Sequence, residues 1–124
     1  MSRDITDYFL RDPRYLIEDG QQTLVETGRD GDAGESVWPS LLVDFSRKGM
    51  QILSPRPLQI GEKISGVLRA TDGQLEVKLY GTVQWQRGAE GQQFAIGCQF
   101  DEEVDWEVMG ELFLSGILDQ KMAV

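Results

Sequence analysis

Histidine is absent from this chain of 124 residues, and cysteine occurs once, at Cys98. Without histidine, a Ser-His-Asp triad and a histidine-based metal site are both excluded. A single cysteine excludes an intrachain disulfide and a multi-cysteine zinc cluster. The sequence also lacks an apolar run of membrane-spanning length and the apolar core of a signal peptide. We therefore expect a cytoplasmic protein that does not insert into a membrane.

Positive charge is scarce, because 12 Lys and Arg residues stand against 21 Asp and Glu residues, for a net charge of −9. Proteins that bind DNA or RNA need a surplus of cations to displace counterions, so we expect neither DNA nor RNA as a partner. The section from Asp44 to Arg87 differs, with seven basic residues against four acidic ones. This section is compatible with a small anionic ligand.

The hydrophobic pattern predicts six short strands. Alternation is clearest in the fifth strand, residues 74–86, and it places Val83 and Trp85 on the core face. In the sixth strand, residues 93–100, the same alternation buries Cys98 as a structural thiol. The other strands are predicted at residues 22–26, 37–45, 50–53 and 63–70. We expect the core to depend on Val83, Trp85, Phe94, Ile96 and Phe100.

The hydrophobic period becomes helical after Phe100, and the acidic residues 101–103 suit a helix N-terminus. We predict a helix over residues 104–120. Its apolar stripe is expected to cap a barrel formed by the six strands; the alternative is that the stripe binds a partner. A further helical turn is predicted at residues 5–10. The expected fold is mainly β: a six-stranded antiparallel β-barrel with a C-terminal α-helix. We expect a single domain over residues 1–124, with an N-terminal arm (1–20), the barrel (21–100) and the helix (101–124).

A polar turn, Asp44-Phe45-Ser46-Arg47-Lys48-Gly49, joins the second and third predicted strands. Asp and Ser bond back to nearby backbone N–H groups, and Gly permits a positive φ or a close backbone approach, as in a hairpin corner. The turn also places a carboxylate, a hydroxyl and a bare backbone beside two cations. Such a set can hold a ligand with anionic and hydrogen-bonding groups, and both interpretations stay open from the turn alone.

Four motifs together resemble the signature of PilZ domains, which are bacterial receptors for cyclic di-GMP. With φ for an apolar residue, they are D-x-S-x-x-G at 44–49, L-x-x-G-x-x-φ at 58–64, G-x-V-x-W at 81–85 and φ-G-φ-x-F at 96–100. They follow the order and spacing of the family and cover roughly residues 40 to 100. The resemblance implies a small barrel with a terminal helix.

The resemblance also implies a nucleotide site. Family members supply two arginines from an R-x-x-x-R motif ahead of the first strand, and the guanidinium suits both phosphate and guanine. This chain departs from that motif, because Arg11 and Arg14 are one residue closer together, with Pro13 between them. The expected ligand contacts are Arg11, Arg14, Asp44, Ser46, Arg47 and Gly49.

Two functions follow. In the first, the chain is a stand-alone cyclic di-GMP receptor that relays ligand binding to an unidentified protein effector, as the intact turn favours. In the second, it is a degenerate adaptor that binds no nucleotide and acts through protein–protein contacts. The changed arginine spacing favours the adaptor, with Arg11 and Arg14 paired to nearby acids instead. No pattern indicates an enzyme, and we expect no catalytic residue, no metal and no cofactor.

Overall fold

The computed structural model describes residues 14–17, 23–29, 37–70 and 73–119. Within them, seven strands precede one α-helix, α1 (Trp106–Leu114), and a short 3₁₀ helix (Glu90–Gln92) joins the last two strands. The strands are β1 (Tyr15–Leu16), β2 (Leu24–Arg29), β3 (Val37–Phe45), β4 (Gly49–Ser54), β5 (Lys63–Arg69), β6 (Glu76–Ala89) and β7 (Gln93–Phe100). The helical turn predicted at residues 5–10 lies outside the described residues.

Strands β2 to β7 close into the predicted six-stranded antiparallel barrel. Their order around the ring is β3-β2-β5-β6-β7-β4, and β4 pairs again with β3. The short strand β1 pairs with the end of β3 that β2 leaves free, with Tyr15 opposite Phe45 and Leu16 opposite Asp44. The chain just ahead of the barrel is thereby fixed beside the turn that follows β3.

Inward-facing residues of every barrel strand form one hydrophobic core. The predicted core residues Val83, Ile96 and Phe100 are buried, and Phe94 packs against them partly buried. Trp38 is also inside, where its indole N–H donates to the hydroxyl of Ser54 at 2.9 Å. This bond satisfies the polar atom that burial of a tryptophan brings into the core.

The predicted core position of Trp85 is wrong, because its side chain is 36% exposed. The pairing of β6 with β7 shifts register between Val83 and Trp85, which makes Gln84 the extra residue of a β-bulge. A bulge inserts one residue and so reverses the face on which the next side chain lies. Val83 therefore points into the barrel and Trp85 points out.

The helix packs on the core as predicted but is shorter than the predicted range of 104–120. It ends at Leu114 because Gly116 adopts a left-handed conformation with a φ of 85°. That conformation lets the N–H of Leu118 reach the carbonyl of Leu112 at 3.1 Å, and it turns Leu118 into the core. Glycine is the residue that ends a helix this way at least cost.

Candidate ligand-binding site

Strand β1 places Arg14 beside Asp44. Nη1 of Arg14 donates a hydrogen bond to Oδ1 of Asp44. The Asp44 side chain is only 11% exposed, whereas the Arg14 side chain is 48% exposed. A carboxylate this deeply buried needs a charged partner, and Arg14 supplies one while half of its own side chain still faces solvent.

The turn after β3 is held by its own hydrogen bonds. The N–H of Ser46 donates to the carbonyl of Gly49 at 2.8 Å, and the Ser46 hydroxyl donates to the same carbonyl at 3.3 Å. That hydroxyl also accepts from the N–H of Lys48 at 3.3 Å. A Cβ on Gly49 would lie 2.2 Å from the carbonyl oxygen of Cys98, so the absence of a side chain lets β4 approach β7. Ser46 and Gly49 thus form a hairpin corner, and their contact with a ligand stays a prediction.

Arg47, in the same turn, is directed at the start of α1. Its Nε donates to the carbonyl of Val104 at 2.8 Å, and its Nη2 lies 3.4 Å from Oε2 of Glu103. Its guanidinium carbon is 4.1 Å from the ring centroid of Trp106. The N–H of Val104 donates to the backbone carbonyl of Arg47 at 2.8 Å. The turn is therefore fastened to α1, and the predicted ligand contact of Arg47 stays a prediction.

An open depression of about 280 Å³ lies on the outer face of β4, β7 and β6, with Arg14 at its edge. Gln51 is opposite Gly97, which in turn is opposite Trp85, so the middle position of this cross-strand row has no side chain. The described residues that line the depression include no acidic side chain. They are Arg14, Lys48, Gly49, Met50, Gln51, Gln84, Trp85, Gly97, Cys98 and Gln99.

The indole of Trp85 forms one wall of the depression. Its ring lies against Gly97, where an added Cβ would be 2.1 Å from Nε1 of the indole. The guanidinium of Arg87 is 5.0 Å from the ring centroid. Trp85 is therefore held in place from two sides and offers a flat aromatic surface of the kind on which nucleic-acid bases stack.

The side chains that line the depression are suited to non-covalent contacts. Burial raises the pKa of the Cys98 thiol to about 12, so this thiol stays protonated at neutral pH and is a poor nucleophile. In the part of the chain that the structure describes, no three acidic or cysteine side chains are grouped to hold a metal ion. What the depression offers is positive charge, amide groups and an aromatic ring.

A model of the PilZ domain matches residues 23–113 of the chain. The chain belongs to the PilZ domain family. No curated protein sequence matches this PilZ domain. None of the helices formed by its described residues is long and apolar enough to cross a membrane.

Three solved structures share the fold of this PilZ domain at low sequence identity. The PilZ domain of YcgR from Escherichia coli, with cyclic di-GMP, is 17% identical with a TM-score of 0.62, covering 90% of this chain and 92% of that chain. MrkH of K. pneumonia, in complex with cyclic di-GMP, is 21% identical with a TM-score of 0.64, and the match covers 90% of this chain and 52% of MrkH. The Bacillus subtilis inhibitor of motility MotI/DgrA is 13% identical with a TM-score of 0.60, and the match covers 86% of this chain and 49% of MotI/DgrA. This PilZ domain therefore spans about half the length of MrkH and MotI.

The structure brings together part of the predicted site. Arg14 contacts Asp44, and Ser46 and Gly49 lie in the adjoining turn. Arg47, in the same turn, is directed at α1, and Arg11 lies outside the described residues.

Sequence reasoning missed Lys48, Trp85 and the three glutamines that line the depression. A signal existed for Gln51 and Gln99, because each alternates with buried residues of its strand and must face outward. No such signal existed for Trp85, since the bulge at Gln84 reversed its face.

Proposed function

We propose that this PilZ domain binds cyclic di-GMP in the depression beside Arg14. This ligand carries two phosphates and two guanines. Arg14 and Lys48 supply the positive charge that phosphates require, and Trp85 supplies a surface on which a guanine stacks. The observation that carries the proposal is the Arg14–Asp44 pair at the edge of a cationic depression. The cyclic di-GMP in the YcgR and MrkH structures supports it.

In this proposal the ion pair with Asp44 orients the Arg14 side chain before the ligand binds. The guanidinium has five N–H donors in a rigid fork, and only one of its nitrogens bonds to Asp44. The remaining donors are available to a phosphate or to the acceptor edge of a guanine. Because the ion pair already restricts the arginine, less side-chain entropy is lost when the ligand binds.

The turn then relays binding to a protein partner through α1. Arg47 lies between Asp44 and Gly49 in sequence, and it bonds to Val104 and stacks on Trp106. A ligand that shifts the turn therefore also shifts the contacts at the start of α1. In this way a nucleotide on one face of the barrel alters the surface that a partner meets.

Isothermal calorimetry with cyclic di-GMP tests the proposal. Arg14→Ala and Asp44→Ala should each weaken binding roughly ten- to a hundred-fold, the effect of losing a charge-assisted contact of about 1.5–3 kcal/mol. Arg69→Ala is the matched control, because Arg69 is paired with Glu26 and Glu76 on β2 and β6 and does not line the depression. Equal losses in all three variants, or none in the first two, would contradict the proposed site.

A second candidate, the adaptor that binds no nucleotide, is favoured by one observation. Arg14, Ser46 and Arg47 all have intramolecular partners already. In an adaptor the Arg14–Asp44 pair is purely structural and the domain acts through protein contacts alone. The wild type then gives no binding heat even at high nucleotide concentration, and Arg14→Ala lowers only the melting temperature.

A further inference from the structure

Two large apolar side chains are mostly exposed on the outward side of α1. Trp106 is 64% exposed and Leu114 is 90% exposed. Gly110 lies between them, and residues four apart on a helix share a side, so the three form one outer stripe (Trp106, Gly110, Leu114). The opposite side buries Met109 and Leu112 in the core. Arg47 contacts one part of the Trp106 ring, and most of the outer stripe is left exposed by the residues that the structure describes.

Negative charge runs beside the outer stripe. Glu107 and Glu111 are both exposed, and α1 contains no lysine or arginine. Neither carboxylate pairs with a cation of the described residues. Two carboxylates beside a row of apolar side chains suit a partner that combines apolar and basic side chains.

Packing among the described residues does not explain a glycine at position 110. A Cβ at this position would meet nothing within 4 Å. Glycine inside a helix costs about 1 kcal/mol relative to alanine, and here no close approach by another described residue requires it. The missing side chain leaves a notch between Trp106 and Leu114 that has room for a side chain from another molecule.

We propose that the outer stripe is the docking surface for a basic amphipathic helix of a partner protein. Apolar side chains of that helix cover Trp106 and Leu114, one of them fills the notch at Gly110, and its lysines or arginines lie against Glu107 and Glu111. The proposal rests on the relay to a partner proposed above and gives the chemistry of that partner.

A second copy of this chain fits the outer stripe poorly. A two-fold contact between two α1 helices brings the same acidic strips together, because such a contact uses the same patch on both subunits. The net charge of −9 on each copy adds to this repulsion. The occupant we infer is therefore a different, basic protein.

Fluorescence anisotropy with labelled synthetic peptides tests this proposal in the absence of nucleotide. The probe is a helical peptide of about 14 residues that has leucines on one side and lysines on the other. A peptide with glutamates in place of the lysines and a Leu/Lys peptide of scrambled order are the controls. We expect the lysine peptide to bind, the glutamate peptide not to bind, and the scrambled peptide to bind at least about tenfold more weakly.

Matched variants locate the binding surface. Leu114→Ala should weaken the lysine peptide at least about tenfold, whereas Ile60→Ala, at a residue 70% exposed elsewhere, should not. Glu111→Lys should weaken it more than Glu90→Lys, which changes the net charge equally at another exposed site.

Several results would contradict the proposal that the outer stripe docks a basic helix. They are no binding of the lysine peptide, equal binding of the scrambled peptide, or equal effects of the matched variants. Self-association of the chain that Leu114→Ala abolishes also overturns it, because the occupant is then a second copy. Since these assays contain no nucleotide, none of these results bears on cyclic di-GMP binding.

Discussion

Substitution of Gly49 by alanine tests how closely β4 approaches β7. The added Cβ would lie 2.2 Å from the carbonyl oxygen of Cys98 and 3.3 Å from the Cα of Gln99. Both of these atoms belong to the backbone, so no side-chain rotation relieves the overlap. The two strands must separate, or the turn before Gly49 must move.

The magnitude follows from the contacts beside Gly49. Overpacking of a tight site costs about 1–3 kcal/mol. Separation of the strands also weakens nearby hydrogen bonds, such as that from the N–H of Phe100 to the carbonyl of Lys48, each worth about 1 kcal/mol. We expect Gly49→Ala to destabilise the fold by about 3 kcal/mol, which lowers the melting temperature by about 10 °C in a domain of this size.

Thermal melting followed by circular dichroism measures this effect against two matched glycines. An added Cβ on Gly88 meets nothing within 4 Å, so Gly88→Ala should leave stability unchanged or raise it by about 0.5 kcal/mol. The three atoms nearest to an added Cβ on Gly97 all belong to the indole of Trp85, a side chain that can shift at lower cost than a strand backbone, so Gly97→Ala should fall between the two. Equal melting temperatures for Gly49→Ala and Gly88→Ala would refute the close approach of β4 to β7.

Three further variants test other parts of the account. Trp85→Ala should lower the free energy of unfolding by about 1–2 kcal/mol, because the ring is 36% exposed; a loss of about 3–5 kcal/mol would indicate a buried ring. The Cys98 thiol, with its pKa raised from 9.0 to about 12, keeps its proton to a higher pH in the folded state than in the unfolded state. Stability should therefore fall between about pH 9 and 12 in urea melts, and Cys98→Ala should lack that part of the slope. Arg47→Met loses the bond to Val104 and the contact with Trp106, so we expect a loss of about 1–2 kcal/mol and a changed tryptophan emission spectrum; an unchanged spectrum would contradict the stacking.

The sequence predicted elements best where two independent signals agreed. The strand Val37–Phe45 has the predicted bounds, because alternating apolar residues mark its length and a polar turn marks its end. The end of α1 was predicted wrongly, because that prediction rested on periodicity alone. Apolar residues continue at helical spacing to Ile117, but the chain buries Ile117 through the left-handed turn at Gly116. Periodicity indicates which residues are buried and does not distinguish a helix from a turn that buries the same ones.

The candidate site was predictable only where its parts are local in sequence. The turn from Asp44 to Gly49 was evident from its residue types. The contact between Arg47 and Val104, which are 57 residues apart, depends on how the closed barrel positions α1. The outward position of Trp85 depends on a bulge that only the pairing of β6 with β7 defines. Such features follow from tertiary structure, and local patterns carry no signal for them.

Titration of the isotope-labelled protein with cyclic di-GMP, followed by amide chemical shifts, tests the central claim most directly. We expect the largest changes at residues 48–51 and 97–99 and at the indole N–H of Trp85, because these groups line the depression. Smaller changes should follow at residues 104–106, where Arg47 contacts the start of α1. The absence of any change at saturating nucleotide, or changes confined to β2 and β5 on the other side of the barrel, would contradict it.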